Sequence, residues 1–165
     1  QEVNLPARSQ ARPVSVEAYE YHADHLEDSR ERFAPSTLER IEQGAEMSAI
    51  DYAEVLYEIE LGRKAIAAIF ETVDVLVTPT LVQLPVSIDT AREAPLETTQ
   101  SLIQNCAPFN FYGIPTISIP CGFSREGLPI GLQISGSALG ELDVIALAHA
   151  YEQATDWHDR TPPLA

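Results

Sequence analysis

The chain has 165 residues, enough for one domain with a real core, because a chain of this size buries roughly 70% of its unfolded surface. Twenty-five acidic against ten basic residues give a formal charge of −15, which repels nucleic acid and anionic membrane surfaces. No apolar run approaches the ~20 residues of a spanning helix, and "QEVNLPARSQARP" lacks the apolar core and cleavage pattern of a signal peptide. The expectation is a soluble, cytoplasmic chain that engages neither nucleic acid nor membrane.

Gln1 at the start, with Met47 as the single methionine, reads as a fragment or a processed chain. In "EVNLP" a short edge strand would end at Pro6. From Ser15, the spacing of Val16, Tyr19, Ala23, Leu26 and Phe33 predicts an amphipathic helix of about four turns that Pro35 breaks. "STLE" then has the form of a capping box, Ser36 with Glu39, opening a short helix that Gly44 closes. Ser48 and Asp51 repeat the device ahead of a helix of some six turns, whose apolar stripe is Ile50, Ala53, Leu56, Ile59, Ile66 and Phe70.

At Asp74 the period changes. "VDVLVTPT" is a continuous β-branched run stopped by Pro79, the pattern of a strand buried on both faces. Residues 81–95 read as an ordered loop, and a helix starting near Leu96 must stop before Pro108. Thr116 to Ile119 and Ile130 to Ser135 alternate as strands, with Pro120 to Pro129 between them as a loop. A closing helix spans Glu141 to Ala154, with Leu142, Ile145 and Ala148 or His149 on its buried side, and Trp157 anchors the tail. The order of elements implies an α/β fold, a mixed sheet with flanking helices. It forms one incomplete domain over 1–165, mainly helical over 15–72 and α/β over 73–160. A sheet completed elsewhere would leave an apolar edge, so self-association, as a homo-oligomer for instance, or marginal stability in isolation is expected.

Candidate chemistry is sparse. His22 and His25 lie three apart beside Asp24 and Asp28, half of a metal site without a second ligand cluster, so a solvated face is the better reading and no metal is expected. His149 and His158 stand alone. Cys106 lacks the glycine turn or helix start that would lower a thiol pKa, and Cys121 has no partner spacing, so both read as reduced, partly buried thiols. "GSALG" places its serine one position too early for a nucleophile elbow. The acidic residues fall on exposed helix faces, and no phosphate cradle is present.

Four stretches taken together, "VDVLVTPT", "CAPFNFYGIPTISIPCGF", "GLPIGLQISG" and "LAHAYEQATDWH", resemble in order, spacing and residue type the C-terminal part of the amidase signature enzymes. That resemblance implies hydrolysis of a carboxylic amide by a serine, a second serine with a cis peptide bond and a lysine, with no cofactor. It also implies that those residues belong to an N-terminal half. This chain has no Gly-Gly pair, no Ser-Ser pair and one lysine, Lys64, inside the long helix. No catalytic residue is therefore assigned within it, and the chain alone is expected to be inactive. By the same resemblance Cys106, Phe109 and Asn110 form or support a substrate pocket wall, Asn110 by tying the following turn. The implied partners are the N-terminal half and a small amide. The A subunit of a glutamyl-tRNA amidotransferase, or a non-catalytic interaction module on the same scaffold, are the alternatives.

Overall fold

Proline decides where the described helices begin more often than serine does, at Pro35, Pro95 and Pro108 against Ser48 and Ser87. A computed structural model describes residues 7–161, and the chain divides into two units, Gln1–Arg63 and Lys64–Ala165. The strand expected at residues 2–6 lies outside the described residues.

In the first unit α1 spans Ala7–Tyr21 and α2 spans Ala23–Asp28, followed by a 3₁₀ turn at Arg30–Arg32. The single helix expected from Ser15 is thus divided at His22, where the backbone leaves the helical region for φ −97°, ψ 5°. The His22 ring stands edge-on to Tyr21 at 4.9 Å and to Phe33 at 5.4 Å. Phe33 therefore folds back onto the break instead of continuing the stripe. Helix α3, Pro35–Glu42, takes Pro35 in its first turn with Ala34 as N-cap, so Ser36 lies inside the helix and the expected capping box is absent. Gly44 likewise does not close α3. It sits in the 3₁₀ turn Gln43–Glu46 at a close approach to α1, where a Cβ would lie 2.1 Å from the Ser15 carbonyl oxygen.

Helix α4, Ala49–Ile69, is the predicted long helix and crosses the boundary between the units. Its cap is as expected: the Asp51 N–H donates to Ser48 Oγ at 3.1 Å, and the Ser48 hydroxyl donates to Asp51 Oδ2 at 2.8 Å. Its buried face differs from the predicted stripe. Val55, Ile59, Gly62 and Ile66 are buried, whereas Ile50 is 73% exposed and Ala53 and Leu56 are also exposed. The helix is apolar on more than one face, so several stripes satisfy the 3.6 period. Tyr52 donates its hydroxyl to Glu17 Oε1 at 3.0 Å, tying α4 to α1.

The second unit is built on β1 (Val75–Pro79), β2 (Thr116–Phe123) and β3 (Pro129–Gly136). Among the described residues the sheet has the order β1-β3-β2, and both pairings are antiparallel where a mixed sheet was expected. The α/β fold class stands. β1 is an edge strand with Val77 50% exposed, so it is not the doubly buried strand its β-branched run suggested. β2 continues through Pro120, which is tolerable on an edge strand because no ladder N–H is demanded there. A register shift between Pro120 and Gly122 forms a bulge at Cys121. The hairpin loop is thus only residues 124–128, where Ser124 Oγ accepts from the N–H groups of Glu126 and Leu128, each at 3.2 Å.

The sheet has two unlike faces, because side chains alternate along each strand. Ile117, Ile119, Leu132 and Ile134 point to α8, Glu141–Ala154, and pack on Val144, Ala148 and Tyr151. Those residues, not Leu142 or Ile145, form the buried side of α8; Leu142 is 82% exposed. The opposite face carries Thr78, Thr80, Thr116, Ser118, Gln133 and Ser135, joined by side-chain hydrogen bonds.

Between β1 and β2 lie α5 (Ile88–Glu93), α6 (Pro95–Leu102), a 3₁₀ turn at Ile103–Asn105 and α7 (Ala107–Tyr112). The loop expected over 81–95 thus contains a helix, started by Ser87, whose Oγ accepts from the Thr90 N–H at 3.1 Å. A second helix starts at Ala107 with Pro108 in its first turn, where a missing N–H costs nothing. Gly113, at φ +68°, ends it in the left-handed region.

Candidate functional site

The polar face of the sheet meets the segment before α7 at the end of β1. Cys106 donates its thiol to the Thr80 carbonyl at 3.2 Å, and Asn105 donates Nδ2–H to the Pro79 carbonyl at 2.9 Å. Gln133, in the middle of β3 and 3% exposed, donates from Nε2 to Thr78 Oγ1 at 3.2 Å and to the Asn105 carbonyl at 3.1 Å. Four bonds, two of them through Gln133, thus hold residues 105–106 against residues 78–80, the end of β1 and the residue that follows it.

Beyond this junction the chain folds over a cavity of about 240 Å³, lined by Pro79, Leu81 to Pro85, and Pro129 to Gly131. Its walls are aliphatic and proline side chains with one amide, Gln83, which donates to Ser101 Oγ at 2.9 Å. Such a pocket, apolar with a single fixed polar group, suits a small organic group better than an ion.

None of the three residues expected at a pocket wall is among those that line this cavity, and they differ in environment. Cys106 is the N-cap residue of α7, a helix start that was not expected there, yet it is half-buried and burial pushes its thiol pKa up, so it stays protonated at neutral pH and serves as a donor. Phe109 is half-buried and packs edge-on against Tyr112, ring centroids 6.2 Å apart. Burial pushes the Tyr112 phenol up as well. Asn110 is exposed, and its backbone carbonyl accepts from the Gly113 N–H at 3.3 Å. Thr78, Thr80, Asn105, Ser118 and Gln133 were given no role at the site from the sequence. Their bonds span 26 to 55 residues, and no local pattern marks such pairs.

Elsewhere, Lys64 is exposed on α4, and His22 packs as an aromatic between Tyr21 and Phe33. Among the described residues no group of three His, Cys, Asp or Glu is placed to hold a metal ion, and no helix is long and apolar enough to cross a membrane.

A family model described as amidase matches residues 9–145. The chain belongs to the amidase family. The A subunit of glutamyl-tRNA(Gln) amidotransferase from a Cyanothece strain is 40% identical over 139 residues, 81% of this chain and 29% of that protein. An amidase from Pseudomonas putida is 33% identical over 173 residues, 99% of this chain and 37% of that protein. The chain therefore spans about a third of the length of these relatives. Among solved structures, an amidase superposes with a TM-score of 0.77 at 26% identity, over 87% of this chain and 34% of that one. A bacterial aryl acylamidase of the amidase signature enzymes superposes at 0.70, also 26% identical, over 93% of this chain and 34% of that one.

Proposed function

We propose that this chain is the C-terminal part of an amide hydrolase, cleaving a small linear carboxylic amide to the acid and ammonia or amine. It contributes pocket wall, while a serine pair and a lysine supplied by residues outside these 165 carry the chemistry. The observation that carries this reading is the junction of residues 105–106 with 78–80 beside an apolar cavity, with a thiol that burial keeps neutral and, among the described residues, no histidine, lysine or carboxylate hydrogen-bonded to it. A neutral thiol donor can orient a wall but is a poor nucleophile. Phe109 and Asn110, on the helix that follows, do not line the cavity itself; in this reading they belong to the part of the wall that the whole protein completes.

The test compares ammonia release from small linear amides by the isolated chain and by the full-length protein that contains it. Turnover by the full-length protein only, abolished by a serine-directed inhibitor, is the expected result. Turnover by the isolated chain that survives the inhibitor would sink the reading.

A second reading rests on the 40–52% identity to several amidotransferase A subunits. In that case the full-length protein would release ammonia from glutamine only when combined with its partner subunits. Turnover of free linear amides without partners decides for the hydrolase.

A further inference from the structure

Gln133 is hard to account for as filling. It lies at the centre of the sheet, 3% exposed, between Ile134 and Leu132, and a buried carboxamide is costly there unless it is hydrogen-bonded. Leucine or methionine would occupy the space without that cost. What the amide adds is a pair of donors. The Asn105 carbonyl can only accept, so the nitrogen of the carboxamide must face it, and the same nitrogen reaches Thr78 Oγ1. One side chain thereby joins β3, β1 and the turn that leads into α7.

We propose that Gln133 is a positioning residue: its carboxamide locks residues 105–106, and with them the start of the helix bearing Phe109 and Asn110, onto the end of β1 beside the cavity. The inference rests on the reading of this region as a pocket wall for what it encloses, but the lock itself does not. Once Gln133 holds the Asn105 carbonyl, the Asn105 side chain is aimed at the Pro79 carbonyl and the Cys106 thiol at the Thr80 carbonyl. Pro79 ends β1 and Thr80 follows it, where the cavity begins. Without the amide, the Asn105 carbonyl loses its donor, and the turn is freed to leave the strand end.

The two cysteines supply a local gauge. Cys106 is inside the lock, and Cys121 lies on the bulge of β2, outside it. In the full-length protein, iodoacetamide labelling of each cysteine is followed by peptide mass spectrometry for wild type, Gln133→Met and Gln133→Glu, each rate being divided by the wild-type rate at the same pH. Gln133→Met, which fills the space without donors, is expected to raise the Cys106 rate about tenfold while Cys121 stays within about twofold, the scale of one lost buried hydrogen bond. Gln133→Glu keeps one donor while its carboxyl is protonated, and burial among carbonyl oxygens raises the pKa of such a group. It is expected to match wild type at pH 6 and to approach the methionine variant by pH 9. A core residue with no positioning role would accelerate both cysteines together, with no pH dependence in the glutamate variant, and either result overturns the inference. Should the wild-type protein hydrolyse no amide, the function proposed above fails, yet the labelling ratios still decide whether Gln133 holds the turn.

Discussion

The hydroxyls of Thr80 and Ser118 meet at 2.6 Å above Gly131, bridging two edge strands across the central one. The bridge exists because position 131 has no side chain: a Cβ there would lie 2.6 Å from Thr80 Oγ1 and 2.8 Å from Ser118 Oγ. Gly131 also lines the cavity, and its carbonyl accepts from the Thr80 N–H at 2.9 Å. One residue therefore sets the spacing of the strands, the bond between their hydroxyls and the shape of the pocket.

Gly131→Ala should destabilise the second unit by about 1–3 kcal/mol, the range for a methyl forced into a filled space. Thr80→Ala removes one of the two clashing hydroxyls and the same hydrogen bond. The double variant should consequently cost less than the sum of the two singles, because both changes break one interaction. Urea unfolding of the four proteins gives the coupling directly, and strict additivity would contradict the bridge.

Gly44 makes the parallel case in the first unit, at a backbone instead of a side chain. Its missing Cβ would stand 2.1 Å from the Ser15 carbonyl oxygen and 2.9 Å from the Val16 nitrogen. Backbone cannot rotate away as a hydroxyl can, so Gly44→Ala should cost at least about 2 kcal/mol, and no change of rotamer relieves it. Thermal melts monitored by circular dichroism read the loss.

The two faces of α8 predict opposite outcomes for similar chemistry. Ile134, 1% exposed, packs against Val144 and Ala148, and its replacement by alanine should cost about 2–5 kcal/mol. Leu142, 82% exposed on α8 itself and pointing away from Ile134 of β3, should tolerate serine within roughly 0.5 kcal/mol in this chain. Equilibrium unfolding of both variants checks the assignment of the buried side.

The thiol of Cys106 ties stability to pH. Burial holds its pKa above the ordinary value, so the folded chain keeps a proton that the unfolded chain loses first. The corresponding stabilisation is complete below the unfolded thiol pKa of about 8.5 and is lost as pH rises through the folded value. Tyr112, whose phenol burial also pushes up, acts in the same direction at still higher pH. Between pH 7 and pH 9.5 the melting temperature of Cys106→Ala should therefore fall less than that of wild type. An equal fall would remove Cys106 from the account.

Particular residues show what the sequence could and could not disclose. The limits of α8, Glu141 and Ala154, were legible because an acidic first turn and a steady helical period coincide there. Its buried face was not, since leucine, isoleucine, valine and alanine occur around most of the helix and the period alone cannot choose Val144 over Leu142. Ser48 acted as the cap its spacing promised, while Ser36 was displaced by a proline one position earlier. Pro108 read as a stop, yet proline is equally suited to a first turn, so the chain restarts there as α7. At the candidate site, Cys106, Phe109 and Asn110 came from resemblance. The lock around them depends on Gln133 and Thr78, 55 residues apart, which only the fold brings together.

The end of the described chain offers a last test. Phe123, at the close of β2, carries the Trp157 ring at 6.1 Å and the Arg160 guanidinium 3.8 Å from its centroid. Trp157 is the single tryptophan, so its fluorescence reports this contact alone. Phe123→Ala removes both the apolar neighbour and the cation–π face, which together are worth on the order of 1–2 kcal/mol at a half-exposed site. Emission should shift to the red without loss of helical signal, and trypsin should cut sooner after Arg160. Arg160→Gln removes only the charge: cleavage there is lost, and the emission maximum should move little, because the Trp157–Phe123 contact remains. A red shift in Arg160→Gln as large as that in Phe123→Ala would show that the guanidinium, and not the ring contact, holds the tail.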